Sequence, residues 1–251
     1  MRASPGAGVV VAGLAGVLLA GATCARPSSM PAGPSAPTGQ TGAEPFSLCH
    51  RLESGAFVLM TVEQTAATAH LAHGDNWLGD TVPGQPGKKF GAGCLIEAIV
   101  ETTITFAGLT VNHTPVTHYE EAGFVVAGVS GPWESMSQYG APKPAVIFVR
   151  PTSEPTMTAE MAIRSGNALF GFASVQIYSS VTPIPYEVLG VRRSVALFHL
   201  AGTIPNTFGH FVPLINPDAD LRIDTLVIRL SNPATPCCAN PVGFDTVVLR
   251  R

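Results

Sequence analysis

Cys49 and His50, then His70-Leu71-Ala72-His73-Gly74-Asp75, then Cys94 place two cysteines, three histidines and a carboxylate in one short stretch. Imidazole nitrogen is a good donor to zinc or copper, and two histidines three residues apart on a helix share a face. With His50 from a neighbouring segment, His70 and His73 complete a set of three ligands, with Asp75 in support and a coordination position left open. The same histidines also suit a plainer task, capping turns and hydrogen-bonding backbone around a bridge, and their spacing matches no established metal motif. Both readings stand on the sequence.

The cysteines belong to the same question. With Cys24 in the N-terminal leader, Cys49, Cys94, Cys237 and Cys238 remain, and an even set in an oxidising compartment reads as disulfides rather than thiolate ligands. Cys49 with Cys94 is the preferred pair, because the two border the histidine segment, and closing that loop contributes about 3 to 4 kcal/mol in the chain-entropy view. Cys237 and Cys238 either form a vicinal bridge or pair with the other two. In both cases they are read as stiffening a loop between Asn232-Pro233 and Asn240-Pro241.

An oxidising compartment is implied by the N-terminus. Arg2, the apolar run Val9 to Ala22 and the small residues Ala20-Gly21-Ala22 have the charged, hydrophobic and small-residue parts of a secretory signal over residues 1–25. The run is short for a membrane span. Cys24 offers a lipid-attachment point, although two residues separate it from Leu19-Ala20-Gly21; cleavage after Ala22 or Ala25 gives a freely secreted chain instead. Residues 26–45 are mostly Pro, Ser, Gly, Ala and Thr, a composition that buries too little apolar surface to fold and reads as a disordered tether. The expected location is therefore secreted or cell-envelope, with membrane contact only through the signal or a lipid anchor.

Charge excludes another class of partner. Lys+Arg number 14 against Asp+Glu 17, and the basic pairs Arg192-Arg193 and Arg250-Arg251 are isolated. A polyanion needs clustered cations that displace counterions, so no nucleic acid is expected.

Residues 46–94 read as a small Cys/His module: a strand over Phe57 to Val62, a few helical turns from Val62 to His73, and a Gly/Pro/Asp-rich loop from Gly74 to Lys89. From Leu95 to the C-terminus the pattern becomes short Val-, Ile-, Phe- and Thr-rich runs separated by Gly131-Pro132, Thr182-Pro183-Ile184-Pro185, Asn216-Pro217 and Asn232-Pro233. That rhythm predicts an all-β sandwich over residues 95–251. Leu221 to Leu230 alternates apolar and charged residues with a phase change at Thr225-Leu226, which a bulge would absorb. Phe170, Phe172, Phe198 and Phe208 are expected in the core.

Two stretches carry a resemblance. Cys49-His50-Arg51, His70 to Asp75, Val82-Pro83-Gly84-Gln85-Pro86-Gly87 and Cys94 resemble a short module of uncharacterised exported bacterial proteins. Ile104-Thr105-Phe106, Tyr119 to Phe124, Ser174 to Ser180 and the closing Gly243-Phe244-Asp245-Thr246-Val247 resemble bacterial extracellular jelly-roll domains of the galactose-binding-like type. The second resemblance implies a jelly-roll-like β-sandwich, a carbohydrate-binding or adhesive role, and a structural calcium between the first and last strands, with Asp245, Glu121 and Glu101 as its ligands. Phe106-Ala107-Gly108-Leu109 lacks the carboxylate that related first strands carry there.

Trp133, Tyr139 and Tyr119 lie in or beside the Gly/Pro-rich connections around Ser130 to Pro144, where an exposed ring can stack on a sugar; closure of the core by Trp133 is the competing reading. Catalytic signatures such as Gly-x-Ser-x-Gly, His-Glu-x-x-His or a phosphate loop do not occur. The sequence thus reads as an exported, non-catalytic binding or surface-interaction protein with carbohydrate the first ligand class. The alternative is an extracytoplasmic zinc or copper protein using His50, His70 and His73.

Overall fold

In a computed structural model of the protein the described residues are 46–138, 145–151, 153–235 and 238–251. The expected signal and tether, Cys24, Tyr139 and Cys237 lie outside them.

Strand β1 (Phe46–Arg51) buries Leu48 and Cys49 and pairs antiparallel with β2 (Phe57–Val62). Gly55 in the turn between them has a φ of 84°, which glycine adopts without steric cost. Helix α1 (Gln64–Ala72) follows and buries Ala67 against Leu48 and Val62. Strand β3 (Asn76–Trp77) adds to the other edge of β1. A second hairpin, β4 (Lys88–Phe90) and β5 (Ile96–Ala98), encloses a 3₁₀ turn at Ala92–Cys94. This hairpin straddles Cys94, the expected end of the module. The expected bridge is present: Cys49 and Cys94 are disulfide-bonded with their Cα atoms 5.5 Å apart, and Val82 and Phe90 pack around them.

The remaining strands are β6 (Glu101–Ile104), β7 (His118–Glu121), β8 (Phe124–Ser130), β9 (Glu134–Met136), β10 (Ala145–Val149), β11 (Thr156–Arg164), β12 (Gly171–Ser179), β13 (Ile184–Arg192), β14 (Val195–Ile204), β15 (Phe211–Ile215), β16 (Thr225–Pro233) and β17 (Pro241–Arg250). They form two antiparallel sheets, one ordered β15-β12-β17-β10-β9 with β6 also on β17, the other β14-β13-β16-β11-β8-β7. The sheets make a jelly-roll-like β-sandwich around Phe106, Phe124, Phe148, Phe170, Phe172 and Phe244, with Leu226, Ile228 and Leu230 facing in from β16.

Three expectations change. β16 alternates without interruption from Thr225 to Pro233, so no bulge is needed there; Leu221 to Asp224 precede the strand, and Arg222 is buried. Ile184, Pro185 and Pro233 are strand residues rather than turn residues. Phe208 is 79% exposed because it occupies a turn before β15, with a φ of 50° and its N–H on Asn206 Oδ1, whereas Phe170, Phe172 and Phe198 are buried as expected.

Module and sandwich are parts of one unit. Ile99, just past the module, donates its N–H to Gly87 O within it at 2.8 Å, and Arg192 of β13 reaches Asp80 of the module at 2.5 Å. Among the described residues no helix is long and apolar enough to cross a membrane.

Candidate functional site

Among the described residues, a side-chain cluster and a cleft both gather groups that can bind something. The first is in the module. β1 presents His50, α1 presents His70 near its end, and the turn after the helix brings Asp75 between them. Asp75 Oδ2 lies 2.9 Å from His50 Nδ1 and 2.8 Å from His70 Nδ1, and Arg51 N–H donates to Oδ1 at 2.8 Å. The imidazoles meet edge to face with centroids 5.8 Å apart. Asp75 is buried and the two rings are half-buried. Burial alone pushes the Asp75 carboxyl up, but the donors from His50, Arg51 and His70 more than cancel this and leave it below its ordinary value.

His73 does not join them. The helix ends at Ala72, and His73 caps it with its N–H turned to His70 O and Leu71 O, so its side chain is exposed and off the shared face. The side chains that come together are His50, His70 and Asp75, with donor atoms within 4.8 Å of one another.

The stacking residues expected on the sandwich are rearranged too. Trp133 is 3% exposed; its indole N–H donates to Glu160 O at 3.2 Å, and its ring packs edge to face on Phe148 and Phe244. It closes the core and presents no face to a sugar. Tyr119 is half-buried against Phe106, with its hydroxyl held between Gly108 N–H and Glu121. Tyr139 lies outside the described residues. Cys238 is exposed, and its carbonyl accepts from Thr235 Oγ1.

The expected calcium ligands are committed elsewhere or incomplete. Glu101 pairs with Arg250 at 3.0 Å. Glu121 accepts from Thr105 N–H, Thr105 Oγ1, Phe106 N–H and Tyr119 OH, which pins the turn where Phe106 takes a φ of 56°. Asp245 sits at an irregularity in the β12–β17 pairing, where Thr246 has a φ of 48°, and is turned fully into the sandwich. Its Oδ1 accepts from Thr246 N–H while Oδ2 has no hydrogen-bond partner. Burial first, then the nearby charge of Glu121, pushes it up to about 7. One uncommitted oxygen beside an already saturated carboxylate falls well short of the six to eight oxygens that calcium takes, so these residues do not fit the ion.

The second place is a cleft of about 460 Å³ where the module meets the sandwich, lined by Ser47, Trp77, Leu78, Arg164, Asn167, Leu169, Arg192, Arg193, Asp224 and Thr225. Its wall is the two-residue turn between β13 and β14. Arg193 and Ser194 have φ values of 50° and 65°, the left-handed pair that matches hairpin twist but strains residues with a Cβ. Neighbours hold the turn in place: Asp224 Oδ2 accepts from Arg193 N–H at 2.6 Å, and the guanidinium lies 4.2 Å from the Trp77 ring centroid and 4.7 Å from that of Phe46. Burial and the charge of Arg192 keep Arg193 below its ordinary value. Arg164 Nε donates to Thr225 Oγ1 at 3.2 Å. Behind the cleft, the buried Arg222 donates to Leu169 O and Arg250 O, and desolvation lowers it to about 10.

Sequence reasoning missed this cleft. Arg192-Arg193 stood out there only as an isolated basic pair.

No family model matches the chain, and no curated protein matches it. Among solved structures the chain is similar to a family 29 carbohydrate-binding module from Piromyces equi, at 13% identity and a TM-score of 0.36, covering 61% of this chain and 91% of the module. It is also similar to TmCBM61, solved in complex with β-1,4-galactotriose, at 10% identity and a TM-score of 0.34, covering 57% of this chain and 100% of the other. A third is the family 32 module of C. perfringens NanJ, solved in complex with galactose, at 10% identity and a TM-score of 0.32, covering 53% of this chain and 97% of the module.

Proposed function

We propose that the protein is an exported, non-catalytic binding protein that recognises a carbohydrate in the cleft between the module and the sandwich. The observation that supports this reading most is the composition of that cleft. It combines guanidinium, amide, hydroxyl and carboxylate groups from Arg164, Asn167, Ser47 and Asp224 with the apolar flanks of Trp77 and Leu169. A sugar needs both, polar groups aimed at hydroxyls and an apolar surface for the ring's C–H face. The Cys49–Cys94 bridge supports an extracytoplasmic location, where disulfides persist.

A glycan array followed by polysaccharide affinity gels tests the proposal. Wild-type protein is expected to be retained by at least one glycan class, and Arg164→Ala with Asn167→Ala to lose that retention while unfolding at the wild-type temperature. No retention on any glycan, or retention that survives the double substitution, would remove the cleft from consideration.

A further inference from the structure

The structure holds a second candidate site, separate from the cleft, in the imidazole–carboxylate cluster of the module. We propose that His50, His70 and Asp75 bind a divalent transition-metal ion, copper(II) in preference to zinc.

The ligand atoms already converge. Asp75 Oδ2 is 2.9 Å from one Nδ1 and 2.8 Å from the other. With metal–ligand bonds of about 2.0–2.1 Å, two ligands subtending a right angle lie about 2.9 Å apart, and two at the tetrahedral angle about 3.3 Å apart. The present separations, set by two N–H···O hydrogen bonds, lie within about 0.5 Å of either arrangement, so an ion that replaces both hydrogens needs little movement of Oδ2 against either nitrogen. Copper(II) stands highest in the affinity order for sites of this nitrogen and oxygen type.

The surroundings suit an ion as well. Asp75 is anchored from behind, its Oδ1 taking Arg51 N–H at 2.8 Å, so the oxygen facing the imidazoles is held in position. The side chain of Asp75 is 1% exposed while those of His50 and His70 are 32% and 28% exposed, so the site opens to solvent on the histidine side. Each neutral imidazole needs only to carry its proton on Nε2 for Nδ1 to coordinate. The Cys49–Cys94 bridge ties β1, which carries His50, to the end of the module, so the ligands belong to a framework closed before any ion arrives.

Untagged full-length protein titrated with copper(II), and separately with zinc(II), tests this. Electron paramagnetic resonance is expected to show one axial copper centre per chain with coupling to two imidazole nitrogens. His50→Gln and His70→Gln should each weaken binding by more than the roughly 10–100-fold that loss of a supporting contact costs. His73→Gln should bind as wild type, and zinc should bind more weakly than copper. Unfolding temperatures without metal show whether each variant still folds, and the two-nitrogen signature of the wild type stands independently of them. Absence of that signature, equal binding by the His50 and His70 variants, or tighter binding of zinc than of copper would overturn the proposal.

Discussion

Asp75 in the module and Asp245 in the sandwich are both removed from water, at 4% and 0% exposure, yet the protein treats their charges in opposite ways. Three donors surround Asp75, and its anion is favoured. Asp245 has one backbone donor, an oxygen with no partner, and Glu121 nearby, and its neutral acid is favoured up to a pH of about 7. Depth and donors act together: Asp75 lies shallow among three donors, whereas Asp245 is sunk in the sandwich with one, and desolvation is the largest influence on its shift. The difference extends to the regions around them. The module is a thin assembly in which a polar cluster and one bridge substitute for a large core, while the sandwich has apolar mass enough to carry an unsatisfied carboxylate.

The largest effect is expected where that mass is concentrated. Phe244 is fully buried and packs against Phe106 and Trp133. Phe244→Ala should cost about 3–5 kcal/mol in denaturant unfolding, lowering the midpoint for the whole sandwich. A loss under about 1 kcal/mol would mean the two sheets do not share this core.

The module should respond differently. Replacing Cys49 and Cys94 together by Ala removes the bridge and is expected to cost about 3 kcal/mol, confined to the module. Hydrogen exchange should accelerate in β1 and β2 and stay slow in β16 and β17. Equal acceleration in both would show that module and sandwich unfold as one, and would erase the contrast between them.

How much of this was legible in the sequence follows the reach of each interaction. The Cys49–Cys94 bridge and the meeting of His50, His70 and Asp75 could be anticipated because one short segment holds all five residues. His73 was misplaced because helix spacing says which residues share a face but not that the helix stops at Ala72. The sandwich showed in its strand alternation and turn residues, although β7 and β9 are too short to stand out. Burial of Trp133 depends on Glu160 O, Phe148 and Phe244, all distant in sequence, so nothing local distinguishes a core indole from a ligand-stacking one. The cleft was invisible for the same reason, since Ser47, Trp77, Arg164 and Asp224 meet only after both layers have formed.

A smaller effect tests the opening contrast directly. The folded chain keeps a proton on Asp245 up to about pH 7, whereas the unfolded carboxyl, at its ordinary 3.8, releases it earlier. Between those values the folded state holds the extra proton, so its stability should fall as pH rises from about 4 to about 7 and level off above. Asp245→Asn keeps the shape and removes the ionisation. It should flatten this part of the stability–pH curve, raising stability on the order of 1 to 3 kcal/mol at pH 8 and little at pH 4. The gain is bounded because the amide brings its own N–H donors into the same pocket, and these need partners that the carboxylic acid did not. An unchanged slope in the variant would mean that Asp245 ionises in the fold as readily as in the open chain. Its unpartnered oxygen would then find a donor, and the two aspartates would differ in location alone.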